Sequence, residues 1–265
     1  MRRSLSRRPL VRLARALGVP VLRYRRDRQA RLVASLAATK PDLICVASFP
    51  ALLEPPVLRL PRLGSLGIHH SLLPRHRGPD PVFWTYFCDD GETGVTVFWL
   101  DDGEDTGDVL AQEVVGLPRG QDGVGLYHEL SRRGCALLLR ALEDVRDGRA
   151  ARTTQRPEAA TREPAPASRT WRVDFETWGS ERLWHFLRGV GAAGGILADA
   201  EGRPLAHGAA RRFVLGPADG RPGSVERTRA GWRVTCRDGF VDVDPPSLRR
   251  QAAWVARRLL GSARS

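Results

Sequence analysis

The chain has 265 residues, 42% of them hydrophobic and 27% charged, a composition able to bury a core. No uncharged run approaches the roughly 20 residues that a membrane helix needs. Arg12 and Arg15 interrupt any apolar stretch behind the basic opening, which argues against secretion, and the four cysteines form no CxxC pair. Membrane-spanning chains and disulfide scaffolds are excluded on these grounds, and a reducing cytoplasm is the expected setting.

The net charge of +12 is unevenly placed. Residues 1–31 carry +10, residues 32–150 carry −6 and residues 151–265 carry +8. A basic terminal region can be the footprint of a polyanion such as RNA. Lys40, however, is the only lysine beside 41 arginines. That skew reads as compositional bias, so a solvated Arg-rich surface is the plainer reading.

In chain order, residues 19–24 (VPVLRY) read as a strand and residues 28–39 as a helix with Leu32, Val33, Leu36 and Ala37 on one side. The short apolar run 43–48 has the character of a strand buried on both faces of a parallel sheet. The strand-like 66–71 follows, then the apolar aromatic stretch 81–87, and strands over 93–100 and 109–115. Leu126, Leu130, Leu137, Leu138 and Leu142 fall near helical spacing and predict a helix over 123–145.

From 149 to 170 the composition turns to Thr, Ala, Pro and charge, which reads as a linker. Beyond it, 176–190 predicts an amphipathic helix with Leu183, Phe186, Leu187 and Val190 inside. Five short strand candidates follow between Gly-rich turns, and a helix is expected over 245–260. The expected architecture is α/β. A Rossmann-like, mostly parallel sheet would fill residues 1–148, with a linker over 149–170 and a small β-rich, barrel-like domain over 171–265.

Two literal matches carry little. Gly189, Gly191 and Gly194 spell GxGxxG, but they follow a helix and precede a strand, whereas the phosphate-binding loop needs the reverse order. A flexible turn is the better reading. His69, His70 and His76 could suggest a metal, yet adjacent strand residues point to opposite faces and no further ligand has suitable spacing, so no metal is expected.

The informative stretch runs from Gly67 to Asp108. His69 lies at or near a strand end, where open α/β sheets bind ligands, and Asp105 lies 36 residues on, in an acidic Gly-punctuated loop. A histidine and a carboxylate on adjacent loops can form a proton-transfer pair. The same residues also fit a satisfied structural histidine and a solvated turn.

In order and spacing this stretch resembles the formyltransferase family that draws its one-carbon unit from 10-formyltetrahydrofolate. The family pattern runs N-x-H-x-S-L-L-P, then R-G, then D-T-G. This chain supplies His69, Ser71-Leu72-Leu73-Pro74, Arg77-Gly78, Pro81, Glu92-Thr93-Gly94-Val95-Thr96 and Asp105-Thr106-Gly107. The C-terminal third, with RVDFETW and GSVERTRAGWRVTCRDGFVDV, is similar to the barrel-type domain of methionyl-tRNA formyltransferases.

The resemblance implies formyl transfer from N10 of the folate co-substrate to a primary amine, without a metal. His69 would act as base or oxyanion partner, and Asp105 would tune it and shuttle protons. Ser71, Leu72, Leu73 and Pro74 would line the folate site, with Arg77 and Gly78 shaping the adjoining loop. The family asparagine, an oxyanion donor, is Gly67 here. Losing one such donor typically costs 10²–10³ in rate. A backbone N–H, a water or His70 is the available substitute, and Gly67→Asn is expected to raise activity.

Family members also open with a strand–helix–strand unit that this sequence does not show, so an N-terminally incomplete sheet is expected. The acceptor is expected to be initiator methionyl-tRNA. A sugar amine is the alternative, because the Phe83-Trp84 pair resembles that branch better, although such aromatics more often serve as helix core than as a sugar platform. A catalytically impaired folate- or RNA-binding paralogue is the alternative of another class.

Overall fold

The computed structural model describes residues 9–22, 24, 29–49, 51–166, 173–194, 197–198, 204–205, 208–217 and 219–245. Its elements in order are α1 (Pro9–Ala16), α2 (Gln29–Ala37), β1 (Ile44–Ala47), α3 (Pro55–Leu58), β2 (Ser65–His69), α4 (Pro81–Phe87), β3 (Glu92–Trp99), β4 (Val109–Gly116) and α5 (Gly123–Arg146). A 3-10 turn at Pro157–Ala159 precedes α6 (Ser180–Gly194). The short β5 (Leu197–Ala198) and β6 (Pro204–Leu205) follow, then β7 (Ala210–Leu215), β8 (Val225–Thr228), β9 (Gly231–Cys236) and β10 (Gly239–Val243). The helix expected over 245–260 lies almost wholly outside the described residues.

The α/β expectation holds, with a four-stranded sheet ordered β1-β2-β3-β4 and a second sheet ordered β7-β10-β9-β8. The mostly parallel character does not: β1 and β2 run parallel, whereas β2–β3 and β3–β4 are antiparallel. A parallel neighbour needs a crossover of a dozen or more residues. The β3–β4 loop is too short for one, and α4 packs on α5 and α6 instead of crossing the sheet. Nor is β1 buried on both faces. Its residues alternate between half-buried and exposed, and Val19, Val21 and Leu22 are irregular and exposed instead of forming the expected strand.

Helix α5 covers one face of the first sheet. Asp122 caps it by accepting a hydrogen bond from the Gly125 N–H at 2.8 Å. Leu137 and Ala141 pack there on Leu66, Val95, Val97, Trp99 and Leu110. A second core joins α4, α5, α6 and the second sheet through Phe83, Tyr86, Leu126, Leu130, Leu183, Phe186, Leu187, Val234 and Val241. That sheet is antiparallel throughout. Within the described residues it is open, because β7 and β8 each pair on one side only; it is no closed barrel.

Gly189, Gly191 and Gly194 lie inside α6, not in a turn. The reason at Gly189 is steric. A Cβ there would drive into the Tyr86 ring, and one at Gly123 would strike the Gly189 carbonyl. Glycine lets α6 sit directly against α4 and the start of α5, a gain in contact that outweighs its ~1 kcal/mol penalty in a helix.

Candidate active site

The site begins with the loop leaving β2. Thr96 on β3, fully buried, donates its hydroxyl to the Ser71 carbonyl at 2.7 Å and accepts from the Leu73 N–H at 3.1 Å. Gln112 on β4 donates to the Leu73 carbonyl and to the same hydroxyl, at 2.8 and 2.9 Å. The Ser71 hydroxyl turns inward to the Arg75 carbonyl at 2.7 Å. Gly94 provides the seat for Leu72, since a Cβ there would meet the Leu72 side chain and the Glu113 carbonyl. Ser71–Pro74, which ends in a cis Leu73–Pro74 bond, is therefore fixed by strand side chains, and Leu73 is itself core.

His69 ends β2 and is 8% exposed. Its Nε2 donates to the His76 carbonyl at 2.7 Å, which assigns that proton and leaves Nδ1 as the exchanging nitrogen. Nδ1 faces Asp105 Oδ2 at 3.6 Å. This is longer than a hydrogen bond, as catalytic contacts often are before substrate binds. The same oxygen accepts the Gly78 N–H at 2.8 Å. Asp105 itself holds a left-handed backbone, φ 56°.

His76 is a residue that sequence reading weighed only as a metal ligand. It is buried between two carboxylates, with Nε2 at 2.7 Å from Asp90 and Nδ1 at 3.1 Å from Glu163. Burial opposes its charge, but Asp90 and Glu163 outweigh that and hold its pKa above the ordinary value. Burial likewise works against the Asp90 carboxylate, yet hydrogen bonds from His76 and Arg75 bring its pKa below the ordinary range. The result is a packed ionic cluster whose backbone carbonyl orients His69.

His70 points the other way, to Ser131 and edge-on to the Tyr127 ring on α5, where burial and the nearby His69 lower its pKa to about 4. It therefore does not stand in for an oxyanion donor beside His69. Among the described residues no group of three or more His, Cys, Asp or Glu is arranged to hold a metal ion.

Gly67 pairs with Phe98 across the sheet, and a Cβ there would stand 2.8 Å from the Phe98 ring and 2.9 Å from Leu100. The space an asparagine would need is thus taken by an aromatic ring that also meets His69 edge-on, with centroids 6.5 Å apart. Phe83 and Trp84 are buried: Phe83 stacks with Phe87 and meets Phe186 edge-on, and the Trp84 indole donates to the Pro164 carbonyl. They are core, not a sugar platform.

The proline-rich segment is extended but tied down. Thr153 bridges Val109, Thr154 donates to Asp108, and the Thr161 carbonyl and Glu163 N–H pair with the backbone of Arg77. Thr161 also accepts the His76 N–H through its hydroxyl at 2.8 Å. Arg77 directs its guanidinium at Gln155 in this strap. The strap's residues were invisible in the sequence because their composition is that of a solvated linker and their partners lie about 45 to 90 positions away.

His69 at the end of β2 and Asp105 in the β3–β4 loop, 3.6 Å apart, form an arrangement that can pass a proton. The sequence narrows the class: residues 2–142 match the formyl transferase family model, and the chain belongs to the formyl transferase family. The methionyl-tRNA formyltransferase of Desulfotalea psychrophila is 31% identical over 244 residues, covering 90% of this chain and 71% of that protein. That of Syntrophus aciditrophicus is 34% identical over 227 residues, covering 84% and 71%.

Two solved structures share the fold. HypX from Aquifex aeolicus with tetrahydrofolic acid has a TM-score of 0.62 at 22% identity, covering 80% of this chain but only 36% of HypX. An N-formyltransferase from Helicobacter canadensis, with folinic acid and dTDP-3-aminofucose, has a TM-score of 0.65 at 15% identity, covering 89% and 82%.

Proposed function

We propose that this protein transfers the formyl group of 10-formyltetrahydrofolate to the amine of initiator methionyl-tRNA. The observation that carries the reading is the approach of His69 and Asp105 in a chain whose relatives named for that activity align over 84–90% of its length. The amine nitrogen attacks the formyl carbon, and the carbonyl becomes an oxyanion. His69 Nδ1 takes the ammonium proton with Asp105 beside it, and that proton returns to N10 as the C–N10 bond breaks. Ser71, Leu72, Leu73 and Pro74 flank the folate, while Arg77 and Gly78 hold the loop behind them.

Residues 1–148 would be the catalytic unit and 171–265 the tRNA-contacting unit. Support for the second role comes from the +6 charge of residues 171–265 and the exposed Arg221, Arg227, Arg229 and Arg237. Such an enzyme works in the cytoplasm, where charged tRNA is found. With Gly67 in place of a side-chain donor, its rate is set lower than a site with that donor would give, by about 10²–10³.

The purified chain incubated with 10-formyltetrahydrofolate should formylate initiator methionyl-tRNA and leave dTDP-amino sugars unmodified. Its KM for tRNA should climb steeply with salt, as expected for phosphate contacts. Formylation of an amino sugar alone, with no salt dependence, would establish the small-amine reading. Folate binding without turnover of either would establish the impaired paralogue.

A further inference from the structure

We propose that Gln155, in the strap, is a positioning residue for the His69–Asp105 pair; the inference rests on that pair being the proton-handling centre. Gln155 is 6% exposed, and each of its polar atoms makes two hydrogen bonds. Its Oε1 accepts from Arg77 Nε at 3.1 Å and Nη2 at 2.7 Å. Its Nε2 donates to the Asp105 carbonyl at 2.9 Å and the Gly107 carbonyl at 2.7 Å. The amide can sit only one way round. Reversed, its NH2 would face the guanidinium and its oxygen would face two carbonyls.

The consequence is geometric. Three consecutive residues build the frame: His76 offers its carbonyl to the His69 ring, Gly78 gives its N–H to the Asp105 carboxylate, and Arg77 between them grips Gln155. Gln155 closes this frame from the other side by holding the Asp105 backbone, whose left-handed φ of 56° is sparsely populated for a non-glycine residue and persists where its surroundings hold it. One buried amide thereby couples the loop after β2 to the loop after β3. The distance from Nδ1 to Oδ2 follows from that coupling.

Gln155→Glu tests this with almost no change in size. It keeps an acceptor for Arg77 and sets a second oxygen against the two carbonyls. Gln155→Met, of equal length, removes all four bonds and serves if the charged variant fails to fold. Displacement of a reacting group by about 1 Å can cost about 10²-fold, so kcat should fall about 10- to 10²-fold while KM for the folate stays within about twofold. The pH profile of kcat should change shape.

Thr39→Ala removes an exposed hydrogen bond to the Leu36 carbonyl at the end of α2, outside both loops and the strap, and should leave kcat unaltered. In the full chain without substrate, the ¹⁵N resonances of the His69 ring should move in Gln155→Glu and stay in place in Thr39→Ala. A folded Gln155 variant with native His69 resonances, kcat and pH profile would overturn the proposal. Wild-type protein inactive toward every amine would overturn the functional reading instead, and the His69 resonances would still decide the role of Gln155.

Discussion

The two sides of the site are built by different means. The histidine side hangs from the sheet: His69 ends a core strand, and the loop behind it is gripped by Thr96 and Gln112 from the neighbouring strands. The aspartate side hangs from a loop. Asp105 follows exposed Asp101 and Asp102, keeps a left-handed backbone, and is steadied by Gly78 and the strap. Core packing fixes one partner before any substrate arrives, whereas the other depends on a segment with little apolar surface of its own. Strap changes should therefore act on Asp105 first, and sheet changes on stability first.

The largest expected effect falls on both sides alike. His69→Ala and Asp105→Asn should each lower folate-dependent formylation by about 10²–10⁴-fold, read as kcat/KM by steady-state kinetics. If Asp105→Asn alone kept wild-type rate, the pair would not be the working unit and the comparison would collapse.

Thr96→Val sharpens the sheet side. It strands the Leu73 N–H and the Ser71 carbonyl in a buried position, at about 1–3 kcal/mol for each lost partner. Urea denaturation should show that loss. An unaltered midpoint would mean that the loop is not held from the sheet.

The sequence-based expectation that Gly67→Asn alone raises activity is revised by Phe98. The single variant should be less stable and no faster, because the ring occupies the space the new side chain needs. Combined with Phe98→Leu, it should raise kcat up to about 10²-fold over Phe98→Leu alone. No gain in the double variant would show that position 67 does not reach the oxyanion.

The smallest effect concerns the ionic cluster. The raised pKa of His76 gives stability that is complete below the ordinary value near 6.5 and is lost as pH rises through the folded value. The lowered pKa of Asp90 gives stability present above 3.8 and lost as pH falls through its folded value. His76→Gln should therefore cost most, about 1 kcal/mol, between those limits and progressively less in alkali. A cost constant from acid to alkaline pH, measured by chemical denaturation, would remove the ionic account.

Much of the frame is legible in the chain itself. The periodicity of residues 123–145 and the β-branched run 93–100 specify α5 and β3 locally, because helix and strand spacing are properties of neighbouring residues. The motif residues His69 and Asp105 are equally visible. Gln155, Thr161 and Glu163 are not, since their role is defined by partners some 50 to 90 positions away.

Sequence alone thus pointed to the family, to most of the elements and to His69 and Asp105 as a candidate pair. Each rests on residue identity and short spacing. Tertiary structure decided the direction of the strands, the filling of the Gly67 space by Phe98, the burial of Phe83 and Trp84, and the conversion of a linker into part of the site. Those outcomes depend on which distant surfaces meet, and close packing with complete hydrogen bonding is settled only once the whole chain is folded.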